Sequence, residues 1–190
     1  MILYTLFLVV SSIIVLGLNL LFKVASPFYI IILFVVGFLL EVIIDALVAL
    51  IVHKLPSKIA NPDLRIYKVY KFERKLYERL GIKKWKSLVP ETGGLCNFKK
   101  DKIYDPNNSE YLHKFMVETC YAELLHFISA FMSFVVLFLG NGITILTICL
   151  PLAIMNFIVQ ILPALIQRYV RPRINVLYQR RLRIEKVSQE

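Results

Sequence analysis

Two carboxylates and an imidazole lie at the beginning of a long apolar segment, where ionisable side chains are unusual. The stretch ETCYAELLHFIS (residues 118–129) contains Glu118, Glu123 and His126 and leads directly into AFMSFVVLFLG. On a helix, the three side chains can share one face. An imidazole titrates near neutrality, and a neighbouring carboxylate can fix its tautomer and stabilise the imidazolium. We therefore expect His126 to act as a general base on a hydroxyl, oriented by Glu123 or Glu118.

A second pair of carboxylates lies in another apolar segment, residues 28–52. Glu41 and Asp45 are one helical turn apart and would lie on the same face of a helix. An ionisable group at the centre of a membrane helix costs about 2.5–3.5 kcal/mol and usually faces a cavity or a partner. We interpret this pair as substrate-binding groups in a pocket that excludes water. The structural alternative is that the acids of these segments pair with arginines near the C-terminus, with Glu118 a solvated acid at a helix start.

Hydrogen-bond donors and cations follow the last apolar segment. The sequence QRYVRPR (167–173) contains an amide and three guanidinium groups. Such groups can bind a phosphate or a developing oxyanion. An arginine of this stretch, or the amide of Gln167, is therefore expected to bind such a group. The substrate-binding candidates in this stretch are Gln167, Arg168, Tyr169, Arg171 and Arg173.

Several common catalytic and cofactor signatures are missing from the sequence. It has no G-x-S-x-G nucleophile pattern, no P-loop and no Rossmann glycine pattern, which weighs against hydrolases, kinases and dehydrogenases. The three cysteines and three histidines share no metal-ligand spacing. We therefore expect neither a metal site nor a bound cofactor. His113 and Glu118 have the His-x4-acid spacing of some glycerolipid acyltransferases, a match that arises easily by chance in a chain with 13 acids.

Long apolar helices are the elements that would position these residues. The chain has 190 residues, of which 58% are hydrophobic. The apolar residues come in blocks of about the 20 residues that a membrane helix needs, at 2–22, 28–52, 120–139 and 143–167. The first block lacks the basic residues that precede the apolar part of a signal peptide, so we expect it to be a retained helix. The predicted fold class is an all-α integral membrane protein with four transmembrane helices.

Positive charge is concentrated in two parts of the chain. Apart from Lys23, all of the 23 lysines and arginines lie in residues 53–117 or 168–190. Cytoplasmic segments of membrane proteins are enriched in these residues. We therefore expect both basic segments and both termini on the cytoplasmic side of a bacterial cell membrane, next to its anionic inner leaflet. The net charge of +10 then needs no nucleic-acid partner to explain it.

The first basic segment is predicted to contain a helix over residues 64–81, ended by Gly81. Its aromatic side chains and cations suit a helix that lies at the membrane interface. The alternative is a solvated basic helix that packs on the rest of the segment. The following residues are rich in proline, glycine and asparagine and predict loops and turns. Ser109 is predicted to cap the next helix.

The predicted organisation has four parts. Transmembrane helices 1 and 2 occupy 1–52, a basic cytoplasmic insert with the interfacial helix occupies 53–117, transmembrane helices 3 and 4 occupy 118–167, and a basic cytoplasmic tail occupies 168–190. Three of the four helices bring polar residues to the same side of the membrane. We therefore expect those residues to converge in a dry site just beneath the inner membrane surface.

Three short motifs resemble those of one enzyme family. They are Trp85-Lys86, E-T-x-x-A-E-L-x-H at 118–126, and Q-R-Y-x-R-P-R at 167–173. In this order and spacing they are similar to motifs of the glycosyl-4,4′-diaponeurosporenoate acyltransferases of staphyloxanthin-type carotenoid synthesis, over roughly residues 82–175. Val170 stands where that family often has asparagine.

The resemblance implies transfer of a fatty acyl group to a sugar hydroxyl of a membrane glycolipid, with a glycosylated carotenoid as one acceptor. The residues matched by the motifs are Trp85, Lys86, Glu118, Glu123, His126, Gln167, Arg168, Tyr169, Arg171 and Arg173. The donor would be acyl-CoA or an acyl carrier protein, attracted by the cationic loop 83–102 and by the basic tail, and Arg168 or Arg171 would bind it. Two alternatives stay open, namely a non-catalytic membrane partner subunit and a lipid-modifying transferase that uses a polyprenyl-phosphate donor.

Overall fold

The regular structure of the described residues is helical. The computed structural model describes residues 2–89 and 102–187, and no strand occurs in these ranges. The α-helices are α1 (Ile2–Leu21), α2 (Pro27–His53), α3 (Lys71–Arg79), α4 (Ile82–Trp85), α5 (Ser109–Met132) and α6 (Leu150–Val187). Short 3₁₀ segments cover Ser57–Ala60, Arg65–Tyr67, Lys86–Leu88 and Ser133–Leu139, and a π-helical segment covers Ile145–Cys149.

Within residues 2–89 and 102–187, four helical stretches are long and apolar enough to cross a membrane. They are Tyr4–Leu21, Pro27–His53, Ser109–Leu139 and Ile145–Val187. The prediction of an all-α chain with four such helices is therefore confirmed, and these helices indicate a membrane protein. A helix satisfies its backbone hydrogen bonds internally, which hydrocarbon surroundings require. The side of the membrane on which the basic segments and the termini lie stays a prediction.

The chain divides into two compact units, each built from two segments. The first unit comprises Met1–His53 and Leu125–Leu162, and the second comprises Lys54–Leu124 and Pro163–Glu190. Both α5 and α6 contribute residues to each unit. Residues 90–101, which include Cys96 and most of the predicted cationic loop, lie outside the described residues, as do residues 188–190 of the predicted tail.

The first unit has an apolar core contributed by α1, α2 and the residues around the turn into α6. Its buried members are Val15, Ile30, Leu33, Phe34, Val136, Ile148, Cys149, Leu152, Ala153 and Met155. At Gly37 of α2, an added Cβ would lie 2.9 Å from Leu152 Cδ1 and 3.0 Å from Val136 Cγ2. The missing side chain therefore permits the close approach of these neighbours. Asn19 is buried in the same unit and donates to the carbonyl of Thr147 at 2.8 Å.

The second unit packs the first part of α5 against the last part of α6. Its core contains Leu112, Phe115, Met116 and Ile174. A smaller cluster connects α5 to the segment that precedes α3, and it consists of Ala60, Tyr67 and Cys120. The smaller cluster therefore holds the residues before α3 against α5.

The helix predicted for residues 64–81 is shorter in the structure. A 3₁₀ turn covers Arg65–Tyr67, the chain is then extended, and α3 begins at Lys71. Gly81 follows the end of α3 and has a φ of +64°, the left-handed conformation that commonly terminates a helix, as predicted. The placement of α3 at a membrane interface stays a prediction.

Tertiary contacts explain why the residues just before Lys71 are not α-helical. Arg168 donates to the carbonyls of Ile66 and Lys68 at 2.9 and 3.0 Å. Arg171 donates to the carbonyl between them, that of Tyr67, at 3.0 Å. Backbone acceptors used in this way are taken from the helical ladder. Helical periodicity in the sequence therefore did not decide the structure of this segment.

Two helix ends also differ from the sequence-based expectation. The helix α5 begins at Ser109, but the side chain that accepts at its start is Asn108 Oδ1, which receives the N–H of Tyr111 at 3.0 Å. Asparagine is as good an N-cap as serine, so the predicted cap was wrong by one residue. The basic segment after residue 167 is not a separate element, because α6 continues to Val187 through two internal prolines.

Candidate functional site

A hydrogen-bonded chain of three side chains lies within the first unit and connects α2, α6 and α5. Gln160 donates its Nε2–H to Asp45 Oδ2 at 2.5 Å, and its Oε1 lies 2.8 Å from His126 Nδ1. Gln160 is buried, with 8% of its surface exposed. The chain therefore fixes the order carboxyl, amide and imidazole in an apolar environment.

The order of these hydrogen bonds determines the tautomer of His126. Because the Gln160 amide donates to Asp45, its oxygen faces the imidazole, and that oxygen can only accept. Nδ1 of His126 must then carry the proton, and the lone pair of the neutral ring is on Nε2. A base held in one tautomer by a polar partner is the arrangement found in hydrolytic triads, here with an amide between the imidazole and the carboxyl group.

A cavity of about 170 Å³ in the same unit is bordered by both acids of α2, Glu41 and Asp45. Glu41 is only 5% exposed. Across the described ranges, neither Glu41 oxygen makes a hydrogen bond of standard geometry, nor do Asp45 Oδ1 and Asn156 Nδ2, although the Asn156 amide lies close to both carboxyl groups. Buried polar atoms are almost always paired, so these groups indicate a cavity that accommodates a polar ligand. Its other lining residues are apolar, namely Leu8, Phe38, Val42, Leu152, Met155 and Val159.

The second unit contains a buried carboxylate that two guanidinium groups hold. Glu123 Oε1 accepts from Arg168 and Glu123 Oε2 accepts from Arg171, each at 2.5 Å. The side chain of Glu123 is 3% exposed and that of Arg171 is 4% exposed. Breaking a buried pair of this kind leaves an uncompensated charge in the interior. The carboxylate–arginine pairing expected as a structural alternative is therefore present at Glu123.

Arg168 uses all five of its N–H groups within the protein. Its Nε donates to Glu73 Oε2 at 2.9 Å and shares that hydrogen with the Tyr77 hydroxyl at 3.3 Å. Its Nη atoms donate to a second oxygen of Glu73, to Glu123 and to the carbonyls of Ile66 and Lys68. Arg168 thus ties α6 to α3, to α5 and to the segment before α3.

Arg171 makes a similar set of contacts one turn further along α6. Its Nε donates to Thr119 Oγ1 at 2.9 Å, and one of its Nη atoms donates to the carbonyl of Thr119 at 3.1 Å. The guanidinium carbon lies 5.2 Å from the centre of the Tyr67 ring, a cation–π distance. Together with Glu123, these contacts compensate the buried positive charge of Arg171.

Two groups of this network lie outside the spanning helices and have displaced pKa values. Burial opposes ionisation of Glu73, but hydrogen bonds from the Tyr77 hydroxyl, the Tyr70 N–H and Arg168 outweigh it and lower the pKa of the Glu73 carboxyl. Burial, followed by the hydrogen bond to Glu73, raises the pKa of Tyr77 to about 12. At neutral pH, Glu73 is therefore an anion that accepts from a neutral phenol.

The remaining predicted site residues belong to the second unit. Gln167 and Tyr169 are buried, whereas Glu118 is half-buried and Lys86 is exposed. The guanidinium of Arg173 lies 3.7 Å from the centre of the Tyr169 ring. In a separate contact, the Trp85 indole donates to the carbonyl of Leu80 at 2.9 Å. The structure thus groups Glu123 with Arg168 and Arg171, and it groups Asp45 with His126 through Gln160.

Several residues of these networks were not predicted from the sequence, among them Gln160, Asn156 and Glu73. Gln160 and Asn156 are amides four residues apart in an apolar helix, and a buried amide there could have been flagged as a polar group that needs a partner. Glu73 carried no such signal, because it is one of several charged residues in a short basic helix. The roles predicted for Glu118 and Glu123 as orienting groups stay predictions.

The chain matches the family model described as glycosyl-4,4'-diaponeurosporenoate acyltransferase over residues 63–180. It belongs to this acyltransferase family. The resemblance carried by the three sequence motifs is therefore confirmed, and it implies a role in acyl transfer. The region matched to the acyltransferase family contains His126, Gln160 and Glu123, whereas Glu41 and Asp45 precede it. No curated protein and no solved structure matches the chain.

Proposed function

We propose that this member of the acyltransferase family moves a fatty acyl group from a thioester donor to a sugar hydroxyl of a membrane glycolipid. The observation that carries the proposal is the hydrogen-bonded series Asp45–Gln160–His126, which puts the lone pair of a half-buried imidazole on Nε2. The family description supports acyl transfer and makes a glycosylated carotenoid one candidate acceptor.

His126 is the general base of the proposed reaction. Its Nε2 accepts the proton of the sugar hydroxyl while the oxygen attacks the thioester carbonyl. The tetrahedral intermediate then expels the thiolate, which takes the proton from the imidazolium, so that an ester and a free thiol are formed. Gln160 is a positioning residue, because its oxygen accepts from Nδ1–H in both protonation states. Asp45 polarises that amide and so stabilises the imidazolium.

The cavity beside Glu41 and Asp45 is the proposed site of the acceptor sugar. A sugar hydroxyl both donates and accepts, so it can pair with a carboxyl oxygen and with Asn156 Nδ2 in the same cavity. These carboxyl and amide atoms make no hydrogen bond of standard geometry within the described residues. The apolar remainder of the lining suits the lipid portion of a glycolipid.

We propose that the network of Glu123, Arg168 and Arg171 positions the helices of the second unit. The contacts of these three residues are to each other, to Glu73, to the hydroxyls of Tyr77 and Thr119, and to backbone carbonyls. The expectation that Arg168 or Arg171 binds the acyl donor requires these guanidinium groups to be released from their contacts within the protein. Other cations of the second unit are more accessible to the acyl donor.

The proposed membrane setting follows from the distribution of charge. Basic segments on the cytoplasmic side would meet a soluble acyl-CoA or acyl carrier protein, and their charge would attract its anionic groups. The lipid acceptor would reach the first unit from within the bilayer. Both substrates would then be available at the inner leaflet.

The test is turnover by the purified protein in lipid nanodiscs. The protein is given acyl-CoA or an acyl carrier protein together with a glycolipid, and mass spectrometry detects the added acyl mass. His126→Ala should lower the rate by about 100-fold or more. His53→Ala is the control, because that imidazole is exposed at the end of α2, and its rate should be unchanged. Undiminished turnover in His126→Ala would remove this residue from the mechanism.

The two alternatives predict other results. A partner subunit would show no turnover with any thioester donor and would purify with another membrane protein. A transferase with a polyprenyl-phosphate donor would change a lipid without adding a fatty-acid mass. Lipids extracted from cells with and without the gene separate these cases, since acyl transfer shifts one glycolipid by the mass of an acyl group.

A further inference from the structure

A groove of about 550 Å³ in the second unit takes no part in the chemistry proposed above. It is bordered by the segment before α3, by α3 and α5, and by the last part of α6. Small-molecule sites typically have volumes of about 300–1,000 Å³, so the groove can hold a ligand of moderate size. All of its lining residues except Pro62 and Leu182 lie in the region that matches the family.

The lining of this groove is rich in cations. Lys68 and Arg74 are exposed, and the buried Arg171 borders the groove as well. Asp63 is the acid among the lining residues. Because Glu123 already balances Arg171, the accessible positive charge comes from Lys68 and Arg74. Arginine binds phosphate oxygens in a bidentate manner, and lysine binds them as a point charge.

The face of α6 that borders the groove adds neutral polar groups. Asn175 and Gln179 are exposed, lie one turn apart and both line the groove. Each side-chain amide can donate to and accept from an amide group of a ligand. Tyr178 and His113 also line it, with ring centres 5.7 Å apart. The groove therefore combines cations with amide partners and an aromatic surface.

We infer that this groove binds the phosphopantetheine arm of the acyl donor, with Lys68 and Arg74 contacting the phosphate oxygens. The inference rests on the proposed function, which requires a thioester donor. Coenzyme A and acyl carrier protein share this arm, in which a phosphate ester is followed by two amide groups and the thiol. The cations of the groove match the phosphate, and Asn175 and Gln179 match the amides.

Binding of coenzyme A to the full-length protein in nanodiscs of zwitterionic lipid tests the inference without any turnover. Titration calorimetry should show that Arg74→Glu weakens binding about tenfold or more, which corresponds to the loss of one charge-assisted contact. Lys75→Glu is the matched control, because Lys75 is equally exposed on α3 and does not line the groove. That variant should change the affinity less than about twofold. Pantetheine, which has no phosphate, should bind weakly and equally to all three proteins.

A second pair of variants makes the comparison independent of the folding of Arg74→Glu. Lys68→Glu should weaken coenzyme A binding, whereas Lys71→Glu, an exposed residue of α3 outside the lining, should not. Equal effects of groove and control substitutions would mean general electrostatic attraction and would overturn the assignment. Coenzyme A binding that none of the substitutions changes would overturn it as well.

Two further arms identify the source of the phosphate and separate this inference from the proposed reaction. If Arg74→Glu weakens binding to vesicles containing phosphatidylglycerol but not to coenzyme A, the groove is a lipid-headgroup site and the donor assignment is wrong. His126→Ala should lower turnover about 100-fold or more and keep coenzyme A binding. Failure of the acyl-transfer proposal would instead leave an Arg74-dependent phosphate site in a protein without that activity.

Discussion

Glu123 on α5 accepts a hydrogen bond from Arg171 on α6 at 2.5 Å, and the two side chains are 3% and 4% exposed. The other oxygen of Glu123 is held by Arg168, so one carboxylate compensates two guanidinium groups in the interior of the second unit. The network extends to Glu73 on α3 through Arg168. Its energetic consequences can be measured separately from catalysis.

Glu123→Gln should destabilise the protein strongly. The substitution keeps the shape of the side chain but leaves the buried Arg171 without its anion and Arg168 with Glu73 alone. Breaking a buried pair in this way typically costs about 3–5 kcal/mol. Chemical unfolding in detergent, followed by circular dichroism, measures the change. Glu110→Gln is the control, because Glu110 is exposed in the first turn of the same helix and its loss should cost less than about 1 kcal/mol. Similar losses of stability in both variants would contradict a special role for the network of Glu123, Arg168 and Arg171.

Gln160→Leu should lower kcat and leave KM nearly unchanged. Without the amide, the tautomer and orientation of His126 are no longer fixed, and a fall in kcat of about 100-fold is expected from loss of general base catalysis. Asn19→Leu is the control. Asn19 is also a buried amide of the first unit, but it donates only to backbone carbonyls in its described contacts. If both variants reduced kcat equally, Gln160 would act through stability alone and the positioning role would be lost.

The stability of the protein should depend on the ionisation of Glu73. Its pKa is lowered in the folded protein, so its contribution is fully present above its unfolded pKa of about 4.3 and is lost as the pH falls through the folded value. Unfolding midpoints measured between about pH 3 and pH 7 should therefore fall less steeply on acidification in Glu73→Gln than in the unmodified protein. Glu78→Gln, at an exposed position of the same helix, should keep the original slope. Parallel curves for all three proteins would mean that Glu73 makes no such contribution.

The long helices were predictable because their cause is local. Each apolar block is long enough to span a bilayer and contains few charges, and such a block can satisfy its backbone only as a helix in hydrocarbon. The short helix α3 was harder, because the carbonyls of Ile66, Tyr67 and Lys68 accept from arginines about 100 residues later in the chain. Periodicity in a short window contains no information about such contacts.

The candidate site, too, was predictable from the sequence only in part. Composition and short motifs are local properties, so the sequence was enough to predict four long apolar helices, the acyltransferase family and His126, Asp45, Glu123 and the arginines as candidate site residues. The folded structure was needed to show that Gln160 connects His126 to Asp45 and that Glu123 pairs with Arg168 and Arg171. Helical periodicity gives the face on which a side chain lies, whereas its hydrogen-bond partner depends on which faces of distant helices pack against it.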